Sequence, residues 1–311
     1  MNDRGPILVP LDGSELAERA LPYAGVLAQA LRTHLVLVTI WEGTSGEFGK
    51  RFPDRVIELD EQANAHYTEY LHGIRDRLQQ ADTRTIVRGG NAADEVLRAA
   101  AETDARMVVL TTHGRSGIRR WAYGSTLAKI VAASPIPVFA IGPEALEHGG
   151  ARPAFGRIAV PLDGSKFAET ALPVASALAA PLGARLSLIR IAPWAVQLYP
   201  YTAAGTYVPE LDSALASEAA EYISDQAKAL GDGADGYTER GDPAERIMQF
   251  VEHEPIDLVV ISTHGRSGLA RLALGSTADR LLQGRAPVLL IRPSQEQVRA
   301  AEADANGAAR S

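Results

Sequence analysis

The chain repeats itself, and this repeat constrains the fold more than any other feature of the sequence. Residues 9–14 (VPLDGS) recur unchanged as residues 160–165, and residues 112–117 (THGRSG) recur as residues 263–268. Both pairs are separated by 151 positions, so the second half of the sequence follows the first in register. A chain of 311 residues with such a repeat predicts two similar domains, each long enough to bury its own core.

Short apolar runs alternate with segments of helical periodicity in each half. Runs that are apolar throughout are typical of parallel strands covered on both faces. The alternation therefore predicts an α/β fold, with two repeated five-stranded parallel sheets. The predicted strands of the first half are residues 7–11, 35–40, 85–88, 107–110 and 137–141, and those of the second half include residues 186–191, 258–261 and 287–291.

Domain boundaries follow from the repeat and from composition. We predict a first domain over residues 1–147, a linker over 148–156, a second domain over 157–294 and a tail over 295–311. The tail is polar and rich in alanine, which is typical of a frayed helix or a disordered end. Within the first domain, Pro22 falls inside a helical pattern, so it should kink that helix or displace its start.

Charge and composition exclude several classes of protein. The net charge is −7 at pH 7, whereas a general nucleic-acid binder usually presents a basic face. No apolar run approaches the roughly 20 residues that cross a bilayer, and the first residues lack the core of a signal peptide. We therefore expect a cytoplasmic protein that binds neither nucleic acid nor membrane. The absence of cysteine rules out disulfides and thiolate metal sites.

A glycine-bearing loop follows the fourth apolar run of each half and precedes a helical segment. Such a loop suits phosphate, because a helix start presents unpaired N–H groups and glycine lets the backbone approach an anion. The alternative is an ordinary connection in which Ser125 only caps the helix. Asp12 ends the first strand, so it should lie at the same sheet edge as this loop. Asp12 and Ser14 alone favour simple helix capping, but their pairing with the loop in both halves favours a ligand site.

These residues resemble the universal stress protein family in its tandem two-domain form. The likeness covers nearly the whole chain apart from the tail. It implies a Rossmann-like fold of the adenine nucleotide alpha hydrolase type, with strand order 3-2-1-4-5 in each half. It also implies that the two halves pair through their last strands as an intramolecular pseudo-dimer, and a homodimer of the whole chain is left open.

The resemblance also implies a set of nucleotide-binding residues. Nucleotide-binding members of the family carry Gly-x2-Gly-x9-Gly-Ser/Thr after the fourth strand, an acid after the first and a residue flanking adenine after the second. The predicted site residues of the first half are Pro10, Asp12, Ile40, Thr111, Gly114, Arg115, Gly124, Ser125 and Thr126. Those of the second half are Pro161, Asp163, Ile191, Ser262, Gly265, Arg266, Gly275, Ser276 and Thr277.

One position departs from the family motif in both halves. The first glycine of the motif falls on Thr111 in one half and on Ser262 in the other. Both residues are small, but a Cβ there can crowd a ribose or change the backbone angle. This departure bears on nucleotide affinity and not on the fold.

The sequence favours a binder over a catalyst. It contains no Gly-Lys-Ser/Thr P-loop, so no lysine of that kind reaches the β- and γ-phosphates. His113 and His264 are weak candidates for a base, since neither has an orienting partner in the sequence pattern. We predict no catalytic and no metal-ligating residues, and a stress-response protein that binds ATP, with or without Mg²⁺. A scaffold with vestigial sites and a slow ATPase are the alternatives.

Overall fold

The computed structural model describes residues 5–41, 53–78, 82–112, 124–150, 153–194, 209–263, 275–294 and 297. The chain divides into two compact units, Met1–Pro153 and Ala154–Ser311. Apart from residue 297, the predicted tail lies outside the described residues. The second glycine of each motif, Gly114 or Gly265, and the arginine that follows it lie outside them as well.

The first unit alternates strands with helices along the chain. Its strands are β1 (Ile7–Pro10), β2 (Leu35–Trp41), β3 (Arg84–Gly89), β4 (Met107–Thr111) and β5 (Val138–Ile141). Its helices are α1 (Glu15–Glu18), α2 (Leu21–Ala30), α3 (Pro53–Leu78), α4 (Ala92–Glu102), α5 (Ser125–Ala133) and α6 (Pro143–His148).

The second unit follows the same plan. Its strands are β6 (Arg157–Pro161), β7 (Arg185–Ala192), β8 (Ala234–Arg240), β9 (Leu258–Ser262) and β10 (Val288–Ile291). Its helices are α7 (Lys166–Glu169), α8 (Ala171–Leu182), α9 (Pro209–Leu230), α10 (Pro243–His253) and α11 (Ser276–Leu281).

Each unit contains a five-stranded sheet with its first strand in the middle. The strand order is β3-β2-β1-β4-β5 in one unit and β8-β7-β6-β9-β10 in the other, which confirms the predicted order 3-2-1-4-5. All the pairings recorded within the two units are parallel. The registers also agree, because Pro10 pairs with Val38 as Pro161 pairs with Ile189. The strand order reverses beside the first strand, so a crevice opens there at the carboxyl edge.

The first helix of each unit begins at a serine. Ser14 caps α1 by accepting a hydrogen bond from the N–H of Ala17 at 3.2 Å, and Ser165 caps α7 through Ala168 at the same distance. The helical pattern then restarts at α2, with Pro22 in its first turn, where the missing N–H of proline costs nothing. The predicted displacement of the helix start by Pro22 is therefore confirmed.

The structure excludes the alternative role considered for Ser125: the N-cap of α5 is Gly124, with φ −71° and ψ 155°, and Ser125 is the first helical residue. After β5, Pro143 starts the short helix α6, which ends at His148, the first residue of the predicted linker. Proline at a first helical position favours a helix, since its fixed φ suits the first turn.

Candidate functional site

An Asp-Gly-Ser turn closes the carboxyl end of the central strand in both units. Asp12 Oδ1 accepts hydrogen bonds from the N–H of Ser14 at 3.0 Å and from its hydroxyl at 2.6 Å. In the second unit Asp163 Oδ1 accepts the same two bonds from Ser165, at 2.9 Å and 2.5 Å. The glycine between them has a φ of 83° in one unit and 81° in the other, a conformation that side chains disfavour. The turn thus fixes the acid at the sheet edge and orients the serine that caps the helix.

The fourth strand and the helix after it are joined by one backbone hydrogen bond in the first unit. The N–H of Gly124 donates to the carbonyl of Thr112 at 2.9 Å, directly beyond the end of β4. This bond holds the start of α5 beside the carboxyl end of the strand. The N-cap glycine has no side chain that could accept from the first helical N–H groups, and a helix start of this kind can offer them to an anion.

A cavity of about 390 Å³ opens at the carboxyl edge of the second sheet. The predicted acid Asp163, the predicted adenine-flanking residue Ile191 and the start of α11 at Ser276 all line this cavity. Every second-half residue that the sequence predicted, and that lies in the described ranges, lines this cavity. The predicted residues are Pro161, Asp163, Ile191, Ser262, Gly275, Ser276 and Thr277, and other lining residues are Leu162, Ala168, Arg190, Pro193, Pro243, Ile247, Ile261, Thr263 and Ala278.

The first unit holds its predicted residues at the corresponding places. Asp12 follows β1, Ile40 lies near the end of β2 and Thr111 ends β4, so all three occupy the carboxyl edge of one parallel sheet. Gly124, Ser125 and Thr126 begin α5 beside that edge. Their role in binding stays a prediction, as does that of their counterparts in the second unit.

Sequence reasoning missed one charged residue of the cavity, Arg190. Its side chain is buried, with 5% of the residue exposed, and its guanidinium carbon lies 5.6 Å from the centre of the Tyr222 ring. A Cβ built on Gly164 would lie 3.0 Å from Arg190 Nη2, so the guanidinium reaches the Asp-Gly-Ser turn. The available signal was a single arginine inside the otherwise apolar stretch of β7 that ends at Ile191.

A tyrosine–glutamate hydrogen bond lies beside the turn in both units and was also missed. Tyr70 of α3 donates to Glu18 at 3.1 Å, and Tyr222 of α9 donates to Glu169 at 3.2 Å. Burial raises the pKa of Tyr70 above its usual range, and the neighbouring Glu18 carboxylate raises it further. Burial and the Glu169 carboxylate act in the same way on the pKa of Tyr222. Both phenols therefore stay protonated and tie a long helix to the first short helix.

The walls at the outer strands differ between the units. In the first unit Trp41 ends β2 and packs on Gly89, where an added Cβ would lie 2.8 Å from Trp41 Cζ2. In the second unit the same paired positions hold Ala192 and Arg240. Arg240 donates to the backbone carbonyl of Asp212, and its guanidinium carbon lies 5.4 Å from the centre of the Trp194 ring. The outer strand pair thus ends in a tryptophan on a glycine in the first unit, and in an arginine beside Trp194 in the second.

Metal ligands and membrane segments were searched in the described part of the chain. No group of three or more histidine, aspartate or glutamate side chains in those ranges is arranged to hold a metal ion. No helix among the same residues combines the length and the apolar character that a bilayer crossing needs.

The fold defines a class of protein: a tandem pair of Rossmann-like α/β units whose strand order reverses at the carboxyl edge of each sheet, with a cavity at that edge of the second unit. The profile of the universal stress protein family matches residues 4–142 and again residues 154–292. The chain therefore belongs to the universal stress protein family, in its tandem form, and has a stress-response role.

Relatives of known sequence and structure agree with this assignment. The universal stress protein Rv1996 of Mycobacterium tuberculosis is 26% identical over 318 residues, covering 93% of this chain and 96% of its own. The universal stress protein MJ0531 of Methanocaldococcus jannaschii is 30% identical over 151 residues, covering 46% and 85%. A universal stress protein from Archaeoglobus fulgidus superposes with a TM-score of 0.64 at 18% identity, covering 93% and 98%, which supports the fold.

Proposed function

We propose that each repeat binds one ATP molecule, with or without Mg²⁺, and that nucleotide occupancy changes the shape or the partners of the protein. Membership of the family supports a role in stress response. The residues at the carboxyl edges of the two sheets support nucleotide binding. The protein would act as a nucleotide-dependent regulator, in which binding and not turnover carries the signal.

The cavity of the second unit is the observation that carries this proposal. Its volume of about 390 Å³ lies within the range of small-molecule sites. The Asp163 carboxylate can accept hydrogen bonds from an adenine amine or a ribose hydroxyl. Ile191 and Ile247 offer an apolar wall for a base, and Ser276 and Thr277 offer hydroxyls and backbone N–H groups for phosphate oxygens. An apolar wall with a few converging polar groups is the usual composition of a ligand site.

The departure from the family motif at Thr111 and Ser262 is compatible with binding. Thr111 pairs with Ile141, and Ser262 pairs with Ile291, so each is the last paired residue of a parallel strand. Extended strand backbone suits any L-residue, and the conformational freedom of glycine is not needed there. The remaining effect is the volume of a small side chain at the floor of the cleft.

Hydrolysis should be slow or absent. The sequence offers no P-loop lysine to neutralise the developing charge on the β- and γ-phosphates. Phosphoryl transfer depends on such positioning and charge stabilisation, so a cleft built from backbone groups and hydroxyls binds better than it catalyses.

A scaffold with vestigial sites is the second candidate. It is favoured by the side chains at Thr111 and Ser262, both buried, where the nucleotide-binding members of the family carry glycine. Equilibrium dialysis of the full chain against ATP separates the two candidates, because a vestigial site retains no nucleotide at millimolar concentration.

We also propose that the two repeats associate through their fifth strands, β5 and β10. Each strand ends its sheet in the order within its own unit, and each consists of apolar residues. An apolar edge strand left open is an aggregation liability. Separately expressed halves should therefore self-associate or precipitate, whereas two well-behaved monomeric halves would contradict this pairing.

The test of the leading proposal uses the unmodified protein and two serine variants. Equilibrium dialysis should detect ATP binding, and Ser125→Ala and Ser276→Ala should each weaken one site by about 1 kcal/mol, the scale of one neutral hydrogen bond. A phosphate-release assay on the same sample should show little turnover. Rapid phosphate release would show that the protein is a catalyst, and absence of ATP binding would favour the scaffold.

A further inference from the structure

The two clefts differ in the charge of the residues that line them. Among the lining residues of the second cleft in the described part of the chain, Asp163 and Arg190 are the charged ones. The register that pairs Pro10 with Val38 and Pro161 with Ile189 makes Thr39 the counterpart of Arg190. The acid is therefore common to both clefts, whereas the buried cation belongs to the second.

Neighbouring charges outside the lining do not remove this difference. Glu18 of the first unit pairs with Arg77 at 2.8 Å, and Glu169 of the second unit pairs with Lys166 at 2.8 Å. Each glutamate also accepts a bond from its tyrosine. Among the described residues, the two acids thus have similar neighbours, and Thr39 against Arg190 is the charge difference at a position that lines the second cavity. Arg240, whose counterpart is Gly89, lies outside that lining.

Arg190 is held in place before any ligand arrives. Its guanidinium lies against the Tyr222 ring on one side and against the turn at Gly164 on the other. Tyr222 is fixed in turn by its bond to Glu169. An arginine that is already ordered loses less entropy on binding a ligand than a mobile one. Arginine also stays charged at any pH that the folded protein meets.

Strand order puts Arg190 within the length of one nucleotide. Strands β7 and β9 flank β6, so the cation and the start of α11 lie on opposite sides of Asp163 in a single cavity. Neighbouring strands are about 4.8 Å apart, which separates the outer two by about 10 Å. In the proposed placement the phosphates lie at the start of α11, about 10 Å from the guanidinium, and its field reaches them because partly buried charges are poorly screened by salt.

We propose that Arg190 makes the second repeat the tighter site for nucleoside triphosphate, so that the two repeats fill at different ATP concentrations. This inference rests on the proposed function, because it concerns the same clefts. In the first unit Thr39, which carries no charge, holds the position that Arg190 has in the second. In the second cleft the guanidinium offsets the Asp163 carboxylate, which favours a triphosphate over an uncharged nucleoside.

Calorimetric titration of the full chain with ATP and with adenosine tests this inference. The unmodified protein should show two classes of ATP site whose affinities differ by about tenfold or more. Arg190→Thr, which installs the first-unit residue, should merge them into one class of two sites. Adenosine affinity should change by less than about threefold, because adenosine carries no charge for the guanidinium to attract.

Three further variants separate charge from structure. Arg190→Lys keeps the charge and should keep the two classes, whereas Arg190→Gln keeps a polar side chain without the charge and should merge them. Arg185→Thr is the matched control: it removes an exposed arginine from the amino end of the same strand, where Arg185 pairs with Asp235 at 2.9 Å. It should leave both affinities unchanged. Thermal unfolding of each variant checks that the fold is kept.

The outcomes discriminate between this inference and the proposed function. A single class of two ATP sites in the unmodified protein would overturn the inference and leave ATP binding intact. If Arg190→Thr and Arg190→Gln lower the affinities for ATP and for adenosine equally, the inference is also overturned. Arg190 would then contribute to the packing of the cleft and not through its charge. An unmodified protein that binds no ATP would overturn the proposed function and the inference with it.

Discussion

The two repeats share the turn, the strand register and most predicted site residues at the carboxyl edge of the sheet, and differ at a few residues beside them. Both units have the same strand register, the same Asp-Gly-Ser turn and the same tyrosine–glutamate bond. They differ at the wall of the cleft, where Thr39 in one unit corresponds to Arg190 in the other. The comparison teaches that turns and strand ends fix the location of the cleft, while its lining can diverge without disturbing the sheet.

At the ends of the outer strands, the two units differ by paired changes in side-chain size. A large side chain at the end of β2, Trp41, faces Gly89 on the neighbouring strand, whereas a small one at the end of β7, Ala192, faces Arg240. Volume is therefore roughly conserved across each strand pair. Close packing allows such exchanges only when both partners change together.

The largest expected effect comes from closing one cleft at a time. Gly124→Val and Gly275→Val should each abolish ATP binding in their own repeat, a loss of about 100-fold or more, or about 2.7 kcal/mol. Among the described residues, a Cβ at these positions meets the carbonyl oxygens of Thr112 and Thr263, at 3.5 Å and 3.7 Å, both ordinary contact distances, so the fold should survive. Calorimetry should report half the ATP stoichiometry for each single variant.

A matched glycine variant controls for the added bulk. Gly233 lies outside the cleft, and a Cβ there meets no atom within 4 Å, so Gly233→Val should bind ATP as the unmodified protein does. Undiminished binding in the Gly124→Val, Gly275→Val double variant would show that the nucleotide lies elsewhere in the molecule.

Replacing Trp41 and Gly89 by the residues of the second unit tests whether the sizes of these two paired residues compensate each other. Gly89→Arg alone should destabilise the first unit by about 1–3 kcal/mol, because the new side chain has to displace the Trp41 ring. Trp41→Ala combined with Gly89→Arg copies the second unit and should recover part of this loss. Urea unfolding of the single and double variants measures the coupling. Additive effects would contradict the view that these two positions compensate each other.

Removing the tyrosine hydroxyl should lower the free energy of unfolding by a smaller amount, and by about the same amount in the two units. Tyr70→Phe and Tyr222→Phe should each cost about 1–2 kcal/mol, since each leaves a glutamate without its hydrogen bond. The folded-state pKa of each tyrosine is raised above its ordinary value of 10.0. The protonated phenol therefore stabilises the fold fully below pH 10, and this contribution is lost as the pH rises further.

The pH dependence gives this prediction a second readout. Unfolding free energy of the unmodified protein should fall above pH 10, and the fall should be shallower in the Tyr70→Phe, Tyr222→Phe double variant. Parallel pH profiles for the two proteins would show that these phenols do not carry the effect.

The smallest expected effect concerns the helix caps. Ser14→Ala and Ser165→Ala should each cost about 1 kcal/mol, the usual value of a serine N-cap. The two losses should agree closely, because the cap geometry is the same in both units. Thermal unfolding measures them, and a clearly larger loss in one unit would mean that the repeats are not equivalent even in their conserved turns.

Repetition made much of the architecture predictable from the sequence. The five apolar runs of the first half, the strand order and a helix start close to Pro22 followed from patterning, resemblance and the geometry of proline. The gathering of Asp163, Ile191 and Ser276 around one cavity followed from the rule that parallel strands end at a common edge.

Local side-chain chemistry was harder to predict. Arg190 gave little signal because one arginine in an apolar strand fits an exposed strand end as well as a cleft. The tyrosine–glutamate bonds join residues 52 and 53 positions apart, which no local pattern records. Capping by Ser125 was kept as an alternative because its residue type suits that role, but the N-cap of α5 is Gly124.

The most direct test of the central claim is the number of ATP molecules that the full chain binds. Calorimetric titration of nucleotide-free protein should give a stoichiometry of two per chain, one for each repeat, with little phosphate released during the experiment. A stoichiometry of zero would contradict the account, because two clefts built on the same turns and strand ends would then hold no nucleotide.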